Sequence, residues 1–390
     1  MSNDSSPALS RSTLMLMATA AGLSVANIYY NQPLLDDFRH AFPSDAHWVG
    51  AVPTITQVGY AAGMFFTAPL GDRFERRSLI LLMIICECVS LAVAAAAPSL
   101  WVLVGASLMI GLLGTIAQQI IPFTAELARP EQRGHAVGTV MSGLLLGILL
   151  ARTASGTIAS LTGWRSVFTA AVVAMIVLGV LIMMRLPRST PTSNLSYPKL
   201  LGSMWHLWHE LPVLREASLT GGALFGAFSA FWTTLALLLA DAPFHYGPQA
   251  AGLFGLVGAA GALVAPMAGK SADRRGPRIG ITLALVITAL SYGVFALSAA
   301  SLTGLVIGVL LLDIGVQGAQ ISNQARIFAL KPEARSRVNS IFIVFYFIGG
   351  AAGSAMSAYA WRTHGWLGVC FVGFAFTLVA TASHLARGWR

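Results

Sequence analysis

Twelve times along this chain of 390 residues a long, mostly apolar stretch recurs, and the gaps between stretches are short. A helix needs about 20 residues to cross the ~30 Å hydrocarbon core of a bilayer. The stretches occupy 12–34, 47–69, 78–97, 100–125, 134–160, 166–186, 216–240, 248–269, 279–299, 302–327, 338–360 and 366–386. Hydrophobic residues make up 56% of the chain and charged ones only 10%, against about a quarter in a soluble domain. Too little polar surface remains for a water-soluble fold of this size, which excludes a soluble enzyme. Ala18-Thr19-Ala20 has the small-x-small form of a signal-peptide cleavage site. The apolar stretch before it, Leu14 to Met17, is too short for a signal peptide, and the run continues to Ala26, so it reads as the first membrane helix.

The net charge of +9 would point to nucleic acid in a soluble protein, but here the basic residues cluster between the apolar stretches, where anionic lipid and topology require them. With both termini cytoplasmic, 20 of the 24 Lys and Arg residues fall on the cytoplasmic side. Only Arg39, Arg165 and Arg362 fall outside, and Arg152 lies within a span. That asymmetry sets the expected orientation, in the inner membrane of a bacterial-type cell. Cys86, Cys88 and Cys370 sit inside apolar runs without metal-ligand spacing and read as reduced packing residues.

An internal repeat is visible. Asp72-Arg73 recurs as Asp273-Arg274, Pro130-Glu131-x-Arg133 as Pro332-Glu333-x-Arg335, and Gly163-Trp164 as Gly365-Trp366, always about 202 residues on. An even number of spans per repeat places the two halves in parallel about an axis along the membrane normal. The expected organisation is a disordered cytoplasmic N-terminus (1–11), a six-helix bundle (12–186), a cytoplasmic linker (187–215), a second six-helix bundle (216–386) and a short cytoplasmic tail (387–390). Tyr197, Lys199, Trp205, Trp208 and Arg215 give the end of the linker the aromatic and basic mixture of an interfacial helix.

Glu87, Arg152 and Asp313 lie deep in spans. A charge at the bilayer centre costs ~2.5–3.5 kcal/mol on insertion scales, so each needs a partner, water or a neutral form. Arg152 does not release its proton, which excludes it as a proton carrier. It suits holding an anionic or carbonyl-bearing substrate, or pairing with a carboxylate whose protonation switches the pair; the structural alternative is a static ion pair in the first half. Gln317, Gln320 and Gln324 share a helical face with Asp313. Gln118 and Gln119 lie in the fourth span, and Gln118 maps onto Gln320 by the repeat. Asn27, Tyr29, Tyr30, Asn31 and Gln32 form a polar and aromatic cluster expected at the outer mouth, with the two tyrosines read as packing or as an interfacial belt. Trp232 sits in Phe231-Trp232-Thr233 of the seventh span, and the eight histidines fall in or near loops.

The loop after the second span reads Ala68-Pro69-Leu70-Gly71-Asp72-Arg73-Phe74-Glu75-Arg76-Arg77, and that after the eighth Gly269-Lys270-Ser271-Ala272-Asp273-Arg274-Arg275-Gly276-Pro277-Arg278. Together with the twelve spans, the 6+6 repeat and the central linker, these loops resemble the major facilitator superfamily pattern G-x-x-x-D-R-x-G-x-R/K. The second copy matches in full, whereas the first carries Ala68 and Glu75 where the pattern has glycine. The resemblance implies that Asp72 clamps the cytoplasmic side shut against the start of the eleventh span near Val338, with Arg73, Arg76, Arg77, Asp273, Arg274 and Arg278 in the gating loops. It also implies that spans 1, 4, 7 and 10 line a central cavity, which makes Asn27, Gln118, Gln119, Trp232, Gln317 and Gln320 candidate substrate contacts. Gly143 and Gly147 fit the fifth-span pattern of drug antiporters in this superfamily, but its proline and closing glycine pair are missing, as is the superfamily's arginine in the fourth span. Both departures speak against drug antiport of the usual kind.

His209-Glu210 has Val213 where a zinc protease needs its second histidine, and a phosphate-binding Gly-rich Lys-Ser/Thr loop is missing. The sequence therefore points to a non-enzyme without a cofactor or metal. The expected function is secondary active transport of a small organic molecule by a monomer in the lipid bilayer, with proton-coupled efflux first. Proton-coupled uptake of a small organic acid or sugar stands second, and a non-transporting scaffold or sensor is the alternative of another class. Asp313 or Glu87 is the candidate proton site.

Overall fold

The computed structural model describes residues 10–67, 70–189, 197–273, 276–331 and 334–386, with the backbone alone at 72, 130, 200, 262–273 and 336. Helix starts follow local chemistry. Ser10, Ser99 and Ser301 cap α1 (Arg11–Ala26), α6 (Leu100–Leu113) and α14 (Leu302–Phe328), each accepting from the backbone N–H three residues on. Proline opens α11 (Pro212–Ala240), α12 (Pro248–Asp273) and α13 (Pro277–Leu297), where its missing N–H costs nothing. The remaining helices are α2 (Leu35–Ala41), α3 (Ala51–Thr67), α4 (Leu70–Arg73), α5 (Arg76–Ala95), α7 (Ile116–Leu127), α8 (Arg133–Thr162), α9 (Trp164–Arg185), α10 (Tyr197–Glu210) and α15 (Arg335–Leu385).

All twelve expected spans are helical, with three local differences. The first helix stops at Ala26, and residues 27–34 continue as turns and a short 3₁₀ segment leading into α2. The fourth span is broken at Gly114-Thr115, where α6 gives way to α7; Thr115 Oγ1 donates to the Leu112 carbonyl at the break, which satisfies a backbone group inside the protein. α15 is two spans joined at Gly365, whose φ of 59° an L side chain rarely adopts. Eight helices among the described residues are long and apolar enough to cross a bilayer, and exposed Leu82, Ile85 and Val89 on α5 and Val173, Ile176 and Val180 on α9 suit a hydrocarbon solvent.

Between apolar helices in lipid, association rests on close packing. Here it rests on glycine. A Cβ on Gly143 of α8 would stand 2.3 Å from the Ala18 carbonyl oxygen, and one on Gly147 2.2 Å from that of Gly22, so α1 and α8 cross backbone against backbone. The second half repeats the device. Cβ atoms on Gly349 and Gly353 of α15 would stand 1.9 and 2.0 Å from the carbonyl oxygens of Gly222 and Gly226 on α11.

Two seams join the halves, α3 against the first part of α15 and α8 against α12. Along the first, Thr54 Oγ1 donates to Ser354 Oγ at 3.0 Å and Tyr60 stacks on Phe347 at 4.1 Å; Gln57 accepts from Ser229 of α11 at 3.0 Å. Along the second, Thr153 donates to the Gly252 carbonyl at 2.9 Å. We call the end where α1 begins and α15 finishes the basic end, and the opposite one the far end. Among the described residues, side-chain hydrogen bonds made directly between the halves lie in the far part or the middle of these helices. Near the basic end α10 bridges instead: Tyr197 donates to the Phe66 carbonyl of α3, and Trp208 stacks on Phe345 of α15 with ring centroids 4.1 Å apart.

Gly147→Val should therefore lower stability by about 2 kcal/mol or more, through overpacking of the α1–α8 crossing. Gly105→Ala, with open space around it on α6, should instead gain up to about 1 kcal/mol. Thermal unfolding of the purified chain in detergent measures both; equal effects of the two substitutions contradict the crossing.

Candidate substrate site

Arg152 lies on α8 and is 3% exposed. Its Nε donates to Gln32 Oε1 at 2.7 Å, while its Nη2 is buried without a hydrogen-bond partner. Aromatic rings surround the guanidinium: Trp232 at 4.1 Å, Tyr29 at 4.8 Å and Phe228 at 5.7 Å from its carbon to the ring centroids. Among the described residues no carboxylate oxygen comes within 4 Å of it, so the static ion pair within the first half is not formed. Tyr29 and Tyr30 are 7% and 9% exposed and face the interior, which fits packing and not an interfacial belt. The cause is the early end of α1: the turns after Ala26 fold the cluster inward, and Ser155 of α8 holds the Tyr30 carbonyl at 2.6 Å.

Asp313, 3% exposed on α14, approaches the same place from the second half. Its Oδ2 and the Trp232 Nε1 are each buried without a hydrogen-bond partner. They meet over α12. A Cβ on Gly258 would stand 2.9 Å from the Trp232 ring and 3.2 Å from both Asp313 carboxylate oxygens; one on Gly255 would stand 3.0 Å from Arg152 Cβ, and one on Gly261 2.9 Å from Asp313 Cβ. Gly252, Gly255, Gly258 and Gly261 thus form a bare strip, one glycine every three residues, beneath Arg152 and Asp313. The spacing of the strip is legible in the sequence, but hydropathy does not single it out. Gln118 donates to the Tyr60 hydroxyl at 3.3 Å, and its repeat partner Gln320 accepts from the Tyr346 hydroxyl at 3.2 Å. Gln317 is half-buried one turn from Asp313.

Glu87 belongs to a second, separate cluster. It is fully buried on α5, accepts from Asn27 Nδ2 at 2.8 Å, and leaves its Oε2 unpartnered; the Oγ of Ser24, three residues before Asn27, is unpartnered too. Gln119 is buried and donates to the Thr67 carbonyl at 2.8 Å, tying α7 to the end of α3.

In the gating loops, the side chains of Asp72 and Asp273 and the whole of Arg274 lie outside the described residues. Arg73 is exposed with its guanidinium 5.9 Å from the Phe74 ring. Arg76 is buried, 3.4 Å from Glu126 of α7, and Arg77 donates to the Met183 carbonyl of α9. Glu75, where the family pattern has glycine, caps α5 by accepting from the N–H groups of Arg77 and Ser78. Burial pushes its carboxyl up, but hydrogen bonds from the Ser78 hydroxyl and the backbone of Ser189, Ser78 and Arg77 outweigh that and hold it down at about 2. Arg278, the repeat partner of Arg77, donates to the His384 carbonyl at 3.3 Å. Beside it lies a cluster missed in the sequence because its members sit at three helix ends: Glu216 is 3.0 Å from Arg326 and 3.5 Å from His384.

Two of the three far-end arginines join the halves. Arg39 grips Asp241 at the end of α11 with both terminal nitrogens, at 2.8 and 3.4 Å, while its Nη2 also lies 2.6 Å from Asp36. Arg362 donates to the His47 carbonyl at 3.3 Å.

Helices in two parallel sixfold sets, with charged side chains buried where the sets meet, define a multi-pass membrane transporter. The chain belongs to the Major Facilitator Superfamily, whose family model matches residues 13–354 and again 217–389. It is 44% identical to the putative uncharacterized transporter YgaY of Escherichia coli K12 over 382 residues, covering 98% of this chain and 96% of that one. It is 34% identical to the probable transporter SCO4007 of Streptomyces coelicolor, covering 98% and 90%. Among solved structures it is similar to the peptide transporter POT in complex with alafosfalin (TM-score 0.75, 13% identity, 95% and 93% covered). It is also similar to a bacterial homologue of the lysosomal transporter Spinster in an inward-facing, occupied conformation (0.73, 16%, 96% and 95%). At these identities the structural likeness establishes the fold alone; family membership makes a small molecule the substrate.

Asp241→Asn should loosen the far-end contact and raise the labelling rate of a cysteine placed at Thr54 on the α3–α15 seam; an unchanged rate contradicts a latch at Arg39. Glu75→Ala should cost about 0.5–2 kcal/mol, the value of a helix cap. Because the carboxyl is depressed in the folded state, that contribution is present above its ordinary value of 4.5 and lost as pH falls through about 2. Unfolding of wild type and variant across this range should show the gap closing toward acid.

Proposed function

We propose that this chain is a secondary active transporter that exports a small organic molecule in exchange for protons. On this reading both termini lie in the cytoplasm of a bacterial-type inner membrane, and the two halves rock about the central site to expose it to each side in turn. One observation carries the proposal: Arg152 from the first half and Asp313 from the second are buried together, each with a polar atom left unpartnered. A purely structural charge pair would close on itself, since an unsatisfied buried polar group costs ~1–3 kcal/mol and more when charged. Groups held open at that cost suit a ligand that completes them.

Asp313 or Glu87 is the proton site, because each is a buried carboxyl with one free oxygen and Arg152 does not release its proton. The site is completed within one chain, which supports a monomer embedded in lipid. The distribution of basic residues supports the orientation, and contact between the halves toward the far end fits a site reached from the cytoplasm. Export rests on likeness to efflux permeases of the superfamily. Uptake of a small organic acid or sugar is the second reading, favoured by the unpartnered Nη2 of Arg152, which suits an anion or carbonyl.

The test is compound accumulation in an efflux-deficient host expressing wild type, Arg152→Ala or Asp313→Asn at equal levels, against toxic amphiphiles, sugars and organic acids. Lower accumulation with wild type, lost in both variants, is expected. Higher accumulation of an anion reverses the direction, and identical behaviour of all three chains revives a scaffold or sensor.

A further inference from the structure

The central site carries one charge of each sign, and the two charges come from opposite halves. Arg152 presents an unpartnered Nη2, Asp313 an unpartnered Oδ2, and Trp232 an unpartnered Nε1 beside them. Asp313 stands against the same Trp232 ring as the guanidinium, yet the two make no ion pair. The Trp232 ring lies against the guanidinium, and its edge shares with the Asp313 oxygens the point above Gly258. The floor between them is backbone: α12 offers only glycine at 255, 258 and 261, and Arg152, Trp232 and Asp313 stand close over it.

On this geometry, and resting on the central site proposed above, we propose that the substrate is a small zwitterion of α-amino-acid size, its carboxylate on Arg152 and its ammonium on Asp313. A carboxylate meets the edge of the guanidinium, because the rings of Trp232, Tyr29 and Phe228 occupy its surroundings and Gln32 holds Nε. An ammonium supplies the donors that Asp313 lacks. A substrate with only a negative charge brings it beside the unneutralised Asp313, and one with only a positive charge sets it against Arg152. The zwitterion answers both, adds no net charge to a water-poor interior, and bridges a residue of each half. The bare strip at Gly258 limits its bulk.

The test uses the purified full-length chain in detergent and three forms of each common α-amino acid: the free zwitterion, the N-acetyl form without the ammonium, and the methyl ester without the carboxylate. Ligand binding stabilises the folded chain by RT ln(1 + [L]/Kd), so at equal concentration the tighter ligand gives the higher unfolding temperature. At least one free amino acid should stabilise the wild type, with its N-acetyl and ester forms binding tenfold weaker or worse. Arg152→Gln should abolish the effect, and Asp313→Asn should weaken it and narrow the gap between the free and N-acetyl forms. Gly258→Ala leaves both charges in place and should shift the preference to smaller side chains; it serves if the charge variants do not fold. Arg152-dependent binding of an N-acetyl or ester form as strong as that of the free amino acid overturns the zwitterion while leaving the central site standing. Stabilisation by no amino acid in any form likewise overturns it. Charge variants that bind every probe as wild type does overturn the central site as well.

Discussion

Backbone-to-backbone contact at glycine is the constraint on which the architecture rests. Lipid removes most of the incentive for apolar helices to associate, since acyl chains solvate leucine as well as another helix does. What remains is close approach, and α1 with α8 and α11 with α15 achieve it by deleting side chains at the crossing. The same economy shapes the centre, where α12 passes beneath Arg152 and Asp313 with glycine at every third position. In the crossings the absence of a side chain admits another helix; above α12 it admits buried charge.

Polar chemistry is distributed by the same logic. The bilayer gives no water to a stranded group, so most buried polar side chains here are tied to a backbone carbonyl or a neighbouring amide, as Gln119 is to Thr67 and Ser155 to Tyr30. Of the buried groups that keep an open valence, Asn323 and Arg326 among them, Arg152, Asp313, Trp232 and Glu87 lie at the candidate sites. They fall into two groups, one between the halves and one within the first half, a separation suited to handling substrate and proton at different places.

Much of the fold was legible because its signals are local. Hydropathy placed all twelve spans, the repeat of Gly163-Trp164 at Gly365-Trp366 marked the break inside α15, and the Trp and Lys mixture located α10. Burial depth also singled out Glu87, Arg152 and Asp313. Hydropathy averages over a window longer than a turn, so it missed the break at Gly114-Thr115 and the inward fold after Ala26 that carries Tyr29 to Arg152. Pairings between the halves were beyond it for another reason: Arg39 and Asp241 are 202 residues apart, and nothing along the chain announces which far-end charge will face which. Sequence could show where charges are expensive; it could not show what they meet.

The Arg39–Asp241 contact has a consequence for the transport cycle. Its side chains are 30% and 43% exposed, and ion pairs so open to solvent contribute on the order of 0–1 kcal/mol and weaken as electrolyte screens them. The far-side closure is therefore held in part by a contact whose strength is set outside the protein. Ionic strength on that face enters the conformational equilibrium as a variable of its own, acting on one leg of the cycle and leaving the buried chemistry untouched.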